Sequence, residues 1–270
     1  MLLRILSYNI RHGGSGREAQ LLAVIRRCEP DVVVFQEAKH RATIQALAEG
    51  AGMAQWDATD GASLGFMSRK PVAHHEWHRP RLSRHAFLEI VPFATESRIF
   101  GLHLAAVHAA WTERRREFEL RALLAGIARH QHGPHVLVGD FNTLAPGDVL
   151  DIRKLPHRLR ALVWLSGGQI RWRTIQVILD AGYVDGYRRL HPESIGFTFP
   201  TWNPHVRLDY AFTPAGFADR LRSCCIIDGE DVKAASDHLP MLIEYDLSPV
   251  PKEQQPAAGD VQIVNPLITA

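Results

Sequence analysis

Short, nearly unbroken apolar runs punctuate this chain, and most of them end in polar residues of one narrow chemical type. Leu2 to Ile10 is apolar apart from Arg4 until it reaches Ser7-Tyr8-Asn9; Asp31-Val32-Val33-Val34-Phe35 runs into Gln36-Glu37; Val136-Leu137-Val138 runs into Gly139-Asp140-Phe141-Asn142-Thr143. Runs this short, rich in β-branched residues, predict strands buried on both faces. Between the first two lies Arg17 to Cys28, with Ala19, Leu22, Ala23 and Ile25 at helical spacing, Arg26 and Arg27 in the last turn, and Pro30 beyond. That pattern predicts an amphipathic helix. The strand-helix-strand unit then brings Asn9 and Glu37 to the ends of neighbouring strands.

The remaining pattern extends this alternation. Arg41 to Ala51 reads as a short helix and Gly65 to Arg69 as a strand closed by Lys70-Pro71. His74 to His85, rich in His, Arg and Pro, reads as a surface loop. Phe87 to Phe93 and Arg98 to Leu104 form a hairpin around Ala94 to Ser97. Thr112 to His130 is the strongest helix, with Phe118, Leu120, Leu123, Leu124 and Ile127 expected inward and the arginines 114–116 read as a solvated face. Residues 146–169 mix Arg and Leu and suggest helix or an inserted loop. Arg173 to Ala181 is a helix stopped by Gly182. Phe197 to Pro200, Val206 to Thr213, Cys224 to Asp228 and Pro240 to Tyr245 read as late strands. With neither repeat nor linker, one domain over residues 1–248 is expected, followed by a flexible tail, 249–270, carrying Pro and Gln.

Composition narrows the setting. A chain of 270 residues with 46% apolar content can bury a full core, and a net charge of only +2 excludes a global polycation, leaving local basic patches. Cys28, Cys224 and Cys225 form no CxxC pair and fit no disulfide framework, so a reduced, cytoplasmic setting is expected. No apolar run approaches a membrane span, and the first ten residues are too short an apolar stretch for a signal peptide.

The strand ends supply the candidate chemistry: Asn9, Glu37, His103, Asp140, Asn142, Asp209 and the pair Asp237-His238. Residues i and i+2 of an extended segment point the same way, so Asp140 and Asn142 leave the strand side by side. A carboxylate beside an amide can hold a water, a phosphate oxygen or a hard metal; the alternative is a strand followed by an Asx-turn. Each of the others also has an ordinary reading. Asn9 could cap the next loop, Glu37 could be a surface acid, His103 a satisfied structural histidine, and Asp209 a partner of Arg207. Taken together, an oxygen-rich, cysteine-free set suits Mg²⁺ or Mn²⁺ and not a closed zinc site, and such cations usually work on phosphate.

The ordered series Ser7-Tyr8-Asn9-Ile10, Phe35-Gln36-Glu37, Gly101-Leu102-His103-Leu104, Val138-Gly139-Asp140-Phe141-Asn142, Arg207-Leu208-Asp209-Tyr210 and Ser236-Asp237-His238-Leu239-Pro240 resembles the endonuclease/exonuclease/phosphatase superfamily over residues 2–247. The resemblance implies a four-layer α/β sandwich, two mostly antiparallel mixed sheets face to face with helices outside. It implies a phosphoester hydrolase using Mg²⁺, with Mn²⁺ as the alternative, and in-line attack by water. Glu37 would be the main metal ligand, helped by Asn9 and Asp237. His238 would act as base or orient the water, held by Asp209. Asp140 would position the nucleophile or protonate the leaving group, Asn142 would hold a phosphate oxygen, and His103 would stabilise phosphoryl charge. Arg11, two residues after Asn9, stands where AP-endonuclease relatives tend to carry an acid or amide, which weakens that reading and adds a cation for phosphate. Trp202, Trp111 and Phe199 are candidates to stack on a base or line a headgroup pocket, with core packing the expected place of Phe199.

A nuclease-like phosphodiesterase acting on DNA or RNA is the leading expectation, motivated by mild basicity and by Arg11, Lys39 and Arg41 near the site loops. A phosphatase or phospholipase C-type enzyme on inositol phosphates or phospholipid headgroups is the alternative, and a non-catalytic phosphate-binding module the second. Glu37 and His238 are placed outside the core, so replacing them is expected to leave folding nearly untouched.

Overall fold

In the computed structural model the valine-rich runs become central strands: β1 (Leu2–Asn9) and β2 (Val32–Gln36) lie parallel, with Asn9 opposite Gln36. Between them α1 (Glu18–Cys28) crosses over, burying Leu21, Val24, Ile25 and Cys28. The buried face therefore differs from the one expected, because Ala19 and Ala23 are exposed. The structure describes residues 2–248 apart from 81, 82, 84, 93–96, 105–109, 132, 149, 151, 155–159 and 161–172. The expected tail and most of the Arg- and Leu-rich segment lie outside the described residues.

After α2 (Arg41–Ala51) come β3 (Gln55–Ala58), β4 (Leu64–Ser68), β5 (Val72–His78), β6 (Phe87–Pro92) and β7 (Arg98–His103). Helix α3 (Ala110–His130) leads into β8 (His135–Asp140). The last third holds α4 (Arg173–Asp180), β9 (Tyr183–Asp185), α5 (Gly186–Leu190), β10 (Asp209–Pro214), β11 (Leu221–Ile226), α6 (Glu230–Ala235) and β12 (Met241–Asp246). One sheet has the order β11-β12-β1-β2-β4-β3 and the other β5-β6-β7-β8-β10-β9. Only β1-β2 and β7-β8 pair in parallel among these ladders. Residues such as Ile5, Val34, Leu88, Val138 and Ile243 fill the space between the sheets. Helices α1, α2 and α6 cover the first sheet through Leu21, Ile44, Leu47 and Val232, and α3 and α4 cover the second through Leu120, Leu123 and Ile175. These are the four layers expected, α/β/β/α.

Three local expectations are corrected. Residues 74–78 of the expected loop belong to edge strand β5, whose alternation turns Trp77 towards the inter-sheet core and leaves His74 and Glu76 exposed. Phe118 is 51% exposed, not inward, while Leu120, Leu123, Leu124 and Ile127 are buried as expected. Val206 makes only an isolated bridge to Phe199, and β10 starts at Asp209.

Candidate active site

The polar strand ends meet at one rim of the sandwich, and Asp140 is their centre. In the second sheet Asp140 lies opposite His103 of β7 on one side and opposite Asp209 of β10 on the other. Gly139 makes the close β7-β8 approach feasible: at φ +147° it occupies a glycine conformation, and a Cβ there would lie 1.9 Å from the Leu102 carbonyl oxygen. Asn142, at φ +48°, folds back so that its backbone N–H donates to Asp140 Oδ1 at 2.8 Å. Its Nδ2 donates to Asp140 Oδ2 and to the Leu104 carbonyl, both at 2.9 Å. From the first sheet, Asn9 Nδ2 donates to the same Asp140 oxygen at 3.0 Å.

His238 sits on the segment between α6 and β12 and is buried, which corrects its expected place outside the core. The segment is tied down by Ser236 Oγ donating to the Asn9 carbonyl at 2.6 Å and by Leu239 N–H donating to the Thr198 carbonyl at 2.8 Å. His238 Nδ1 donates to Asp209 Oδ2 at 2.9 Å, and its Nε2 lies 4.0 Å from Asp140 Oδ2. His103 Nε2 approaches that oxygen to 3.8 Å.

Burial opposes charge on His238, but the carboxylates of Asp209 and Asp140 override it and lift its pKa to about 10. Burial likewise pushes the Asp140 carboxyl up, against the opposing His238 charge, to about 7. His103 is driven down to about 4 by burial, in spite of nearby Glu37, and its Nδ1 has no hydrogen-bond partner among the described residues. At neutral pH the site thus holds an imidazolium, a neutral imidazole and a carboxyl poised to take or give a proton.

Glu37 begins a second, more open pole. It follows β2 at φ +56°, half-buried, and its Oε2 accepts from the His12 backbone N–H at 2.6 Å. Burial favours its neutral form; the His12 bond and the neighbouring His103, Lys39 and His12 charges outweigh that and hold it below the usual carboxylate range. Asp237 faces Arg11, whose Nε is 3.4 Å from Asp237 Oδ2. Asn9 links the poles, since its Oδ1 accepts from Arg11 N–H while its Nδ2 holds Asp140.

The tightest ligand-type cluster among the described residues is Asp140, Asp209 and His238, with donor atoms within 4.8 Å of one another. That grouping could hold a metal ion, but His238 Nε2 would then have to be free of its proton. The Glu37 pole fits a hard cation better: its donors are oxygens, Glu37 is kept ionised, and Glu37 Oε1 accepts no hydrogen bond among the described residues.

Two groups escape sequence reasoning. Arg116 is buried and its Nη1 donates to the Asn142 carbonyl at 3.0 Å and lies 3.4 Å from that of Phe141, which corrects the solvated reading of this arginine. Arg207 does not pair with Asp209; its side chain binds Asp148 through two nitrogens, at 2.8 and 3.1 Å, and Asp185 at 2.7 Å. Asp148 is therefore a buried hub under the loop that follows β8. Of the expected aromatics, Trp202 is 64% exposed. Phe199 is not packed in the core but lies between Trp202, at 6.5 Å, and His238, at 4.8 Å between ring centres. The Trp111 side chain lies outside the described residues. Lys39 is exposed, whereas Arg41 is engaged with Asp57 and the Trp56 ring.

Solved structures share this architecture. The chain aligns with a 3′ phosphatase, NExo, from Neisseria bound to product DNA hairpin at 20% identity and TM-score 0.67, covering 90% of this chain and 99% of that one. An AP endonuclease from Archaeoglobus fulgidus aligns at 18% identity and TM-score 0.69, with 90% and 99% covered. The 3′-5′ exonuclease NExo from Neisseria meningitidis aligns at 20% and 0.66, with 90% and 100% covered. A comparison with the sequences of curated proteins gives no match. The sequence model of the endonuclease/exonuclease/phosphatase family matches residues 6–238, from β1 through His238. With that match spanning most of the chain, the protein belongs to the endonuclease/exonuclease/phosphatase family and is a phosphoester hydrolase.

Proposed function

We propose that this protein is a divalent-metal-dependent phosphodiesterase acting on nucleic acid by in-line attack of water. The observation that carries the reading is the Asp209-His238-Asp140 arrangement: a buried imidazolium fixed from behind by one carboxylate, with a second carboxyl of near-neutral pKa beside it. Asp140 Oδ2 takes the proton of the attacking water, and His238 Nε2–H donates to a non-bridging phosphoryl oxygen. His103, neutral, offers a further polar nitrogen to the phosphoryl group. Asn142 has both Nδ2 hydrogens committed to Asp140 and Leu104, so its part is to aim the Asp140 carboxyl and not to hold phosphate.

Glu37, with Asn9 Oδ1 and Asp237, would hold Mg²⁺, Mn²⁺ being the alternative. The cation supplies neutralisation of phosphate charge and polarisation of the phosphorus. Nucleic acid is favoured over inositol phosphates or phospholipid headgroups by the exposed Trp202 beside Phe199, a surface on which a base can stack, and by exposed Arg11 and Lys39 at the rim. Two of the similar structures are described as an AP endonuclease and as a phosphatase bound to a DNA hairpin, which agrees with this choice.

The test is a panel of single- and double-stranded oligonucleotides, a phospholipid and an inositol phosphate, each with Mg²⁺ and with EDTA. Cleavage of an oligonucleotide that EDTA stops is the expected result. Turnover of the lipid or the inositol phosphate with intact oligonucleotides would overturn the substrate assignment, and EDTA-resistant turnover would overturn the metal.

A further inference from the structure

The loop after β1 is held in an unfavourable conformation. Arg11, His12, Gly13 and Gly14 have φ of 50°, 51°, 81° and 71°, four successive residues in the left-handed region, two of them non-glycine. Such strain persists only where the surroundings impose it, and it concentrates at functional sites. The surroundings here are explicit. Arg17 donates to the carbonyls of Ile10, Arg11 and Ala235, and Gly13 is pressed so close to His40 that an added Cβ would lie 2.1 Å from its ring. The outcome is that the backbone N–H groups of Arg11 and His12 are spent on Asn9 and Glu37, while the Arg11 side chain is turned onto Asp237.

That side-chain contact is slight. Its shortest approach is through Nε at 3.4 Å, the guanidinium is half-exposed, and Nη1 and Nη2 make no hydrogen bond among the described residues. A cation is thus parked on one carboxylate of the metal pole, with its two best phosphate donors unspent. We propose that Arg11 is a counter-ion exchanged between the metal pole and the substrate: it neutralises Asp237 before a divalent cation binds, and then grips the phosphoryl group of the bound phosphodiester. This rests on the assignment of Glu37, Asn9 and Asp237 to the metal. It gives Arg11 opposite effects on the two ligands, repelling the metal and attracting the phosphate, which no purely structural role would produce.

Calorimetric titration of the intact protein with Mn²⁺ alone, and steady-state cleavage of an oligonucleotide, test it in Arg11→Met, Arg11→Lys and Glu37→Gln. The loop's backbone bonds do not involve the Arg11 side chain, so Arg11→Met keeps them. Arg11→Met is expected to bind Mn²⁺ about five- to tenfold more tightly, the size expected for removing one charge several ångströms from a dication at a solvated site. Its KM should rise by about tenfold or more, as for loss of a charged hydrogen bond, with a smaller change in kcat. Arg11→Lys should match the wild type in Mn²⁺ affinity. Unchanged or weakened Mn²⁺ binding in Arg11→Met, or an unchanged KM, overturns the exchange. Wild-type Mn²⁺ affinity in Glu37→Gln would instead remove the metal assignment beneath it.

Discussion

Acid should destabilise this protein through a histidine remote from the rim. His135 opens β8 and is buried; its Nδ1–H donates to the Gly133 carbonyl at 3.0 Å and its Nε2 accepts from the Tyr183 hydroxyl at 2.6 Å. Burial, with Arg98 nearby, drives its pKa from 6.5 down to about 4. The unfolded chain therefore takes up a proton as pH falls below 6.5, whereas the folded chain takes it up only near pH 4. The stabilisation is fully present above pH 6.5 and is lost as pH falls towards 4. The proton-binding difference amounts to about 2 kcal/mol at pH 5 and about 3 kcal/mol at the limit. Urea unfolding at pH 7.5 and pH 5, followed by tryptophan fluorescence, should show His135→Gln losing about 2 kcal/mol less than the wild type over that interval. His103, also depressed by burial, is present in both proteins and cancels in the comparison. Equal acid losses in the two proteins, or a larger loss in His135→Gln, would refute the reasoning.

Gly139→Ala should destabilise the fold by more than about 4 kcal/mol or prevent folding, since the new methyl group meets the Leu102 carbonyl; soluble yield and thermal melting check this. Glu37→Gln should reduce turnover by several orders of magnitude while the melting temperature stays within a few degrees, because the side chain is half-buried and outside the apolar clusters. Asp209→Asn should lower kcat by roughly 10³- to 10⁴-fold by leaving the His238 imidazolium without its fixed partner, a loss visible under single-turnover conditions. Arg116→Met should lower kcat by about 100-fold with little change in KM, because it frees the turn that aims Asp140; partial recovery in Arg116→Lys would separate positioning from a general loss of packing.

What the sequence discloses follows from range. Asn9 and Glu37 lie on adjacent strands joined by one crossover helix, so periodicity alone brings them together. The order of the remaining motifs placed Asp140, Asp209 and His238 at strand ends, and the register puts the first two opposite each other. Arg116 was illegible because an amphipathic pattern assigns arginine to solvent; that its guanidinium reaches a carbonyl 26 positions away depends on how α3 lies across β8. Asp148 was hidden for the same reason, its partners Arg188, Arg207 and Tyr210 being supplied by distant segments. Strand β5 was missed because an edge strand needs few apolar residues, and three histidines mask its alternation. Phe118 follows the hydrophobicity rule only in sequence; its position on α3 points away from the sheet.

The hydrogen bond from Asn9 to Asp140 crosses from one sheet to the other, between residues 131 positions apart. His238 then enters only with the segment before β12, the strand that pairs β1 on the side away from β2. Neither half of the sandwich carries all the residues of the proposed site. On the proposed assignment the site is complete only when both sheets have closed and His238 has met Asp209. In refolding, recovered activity would report completion of the whole sandwich, whereas secondary-structure signals would count either half.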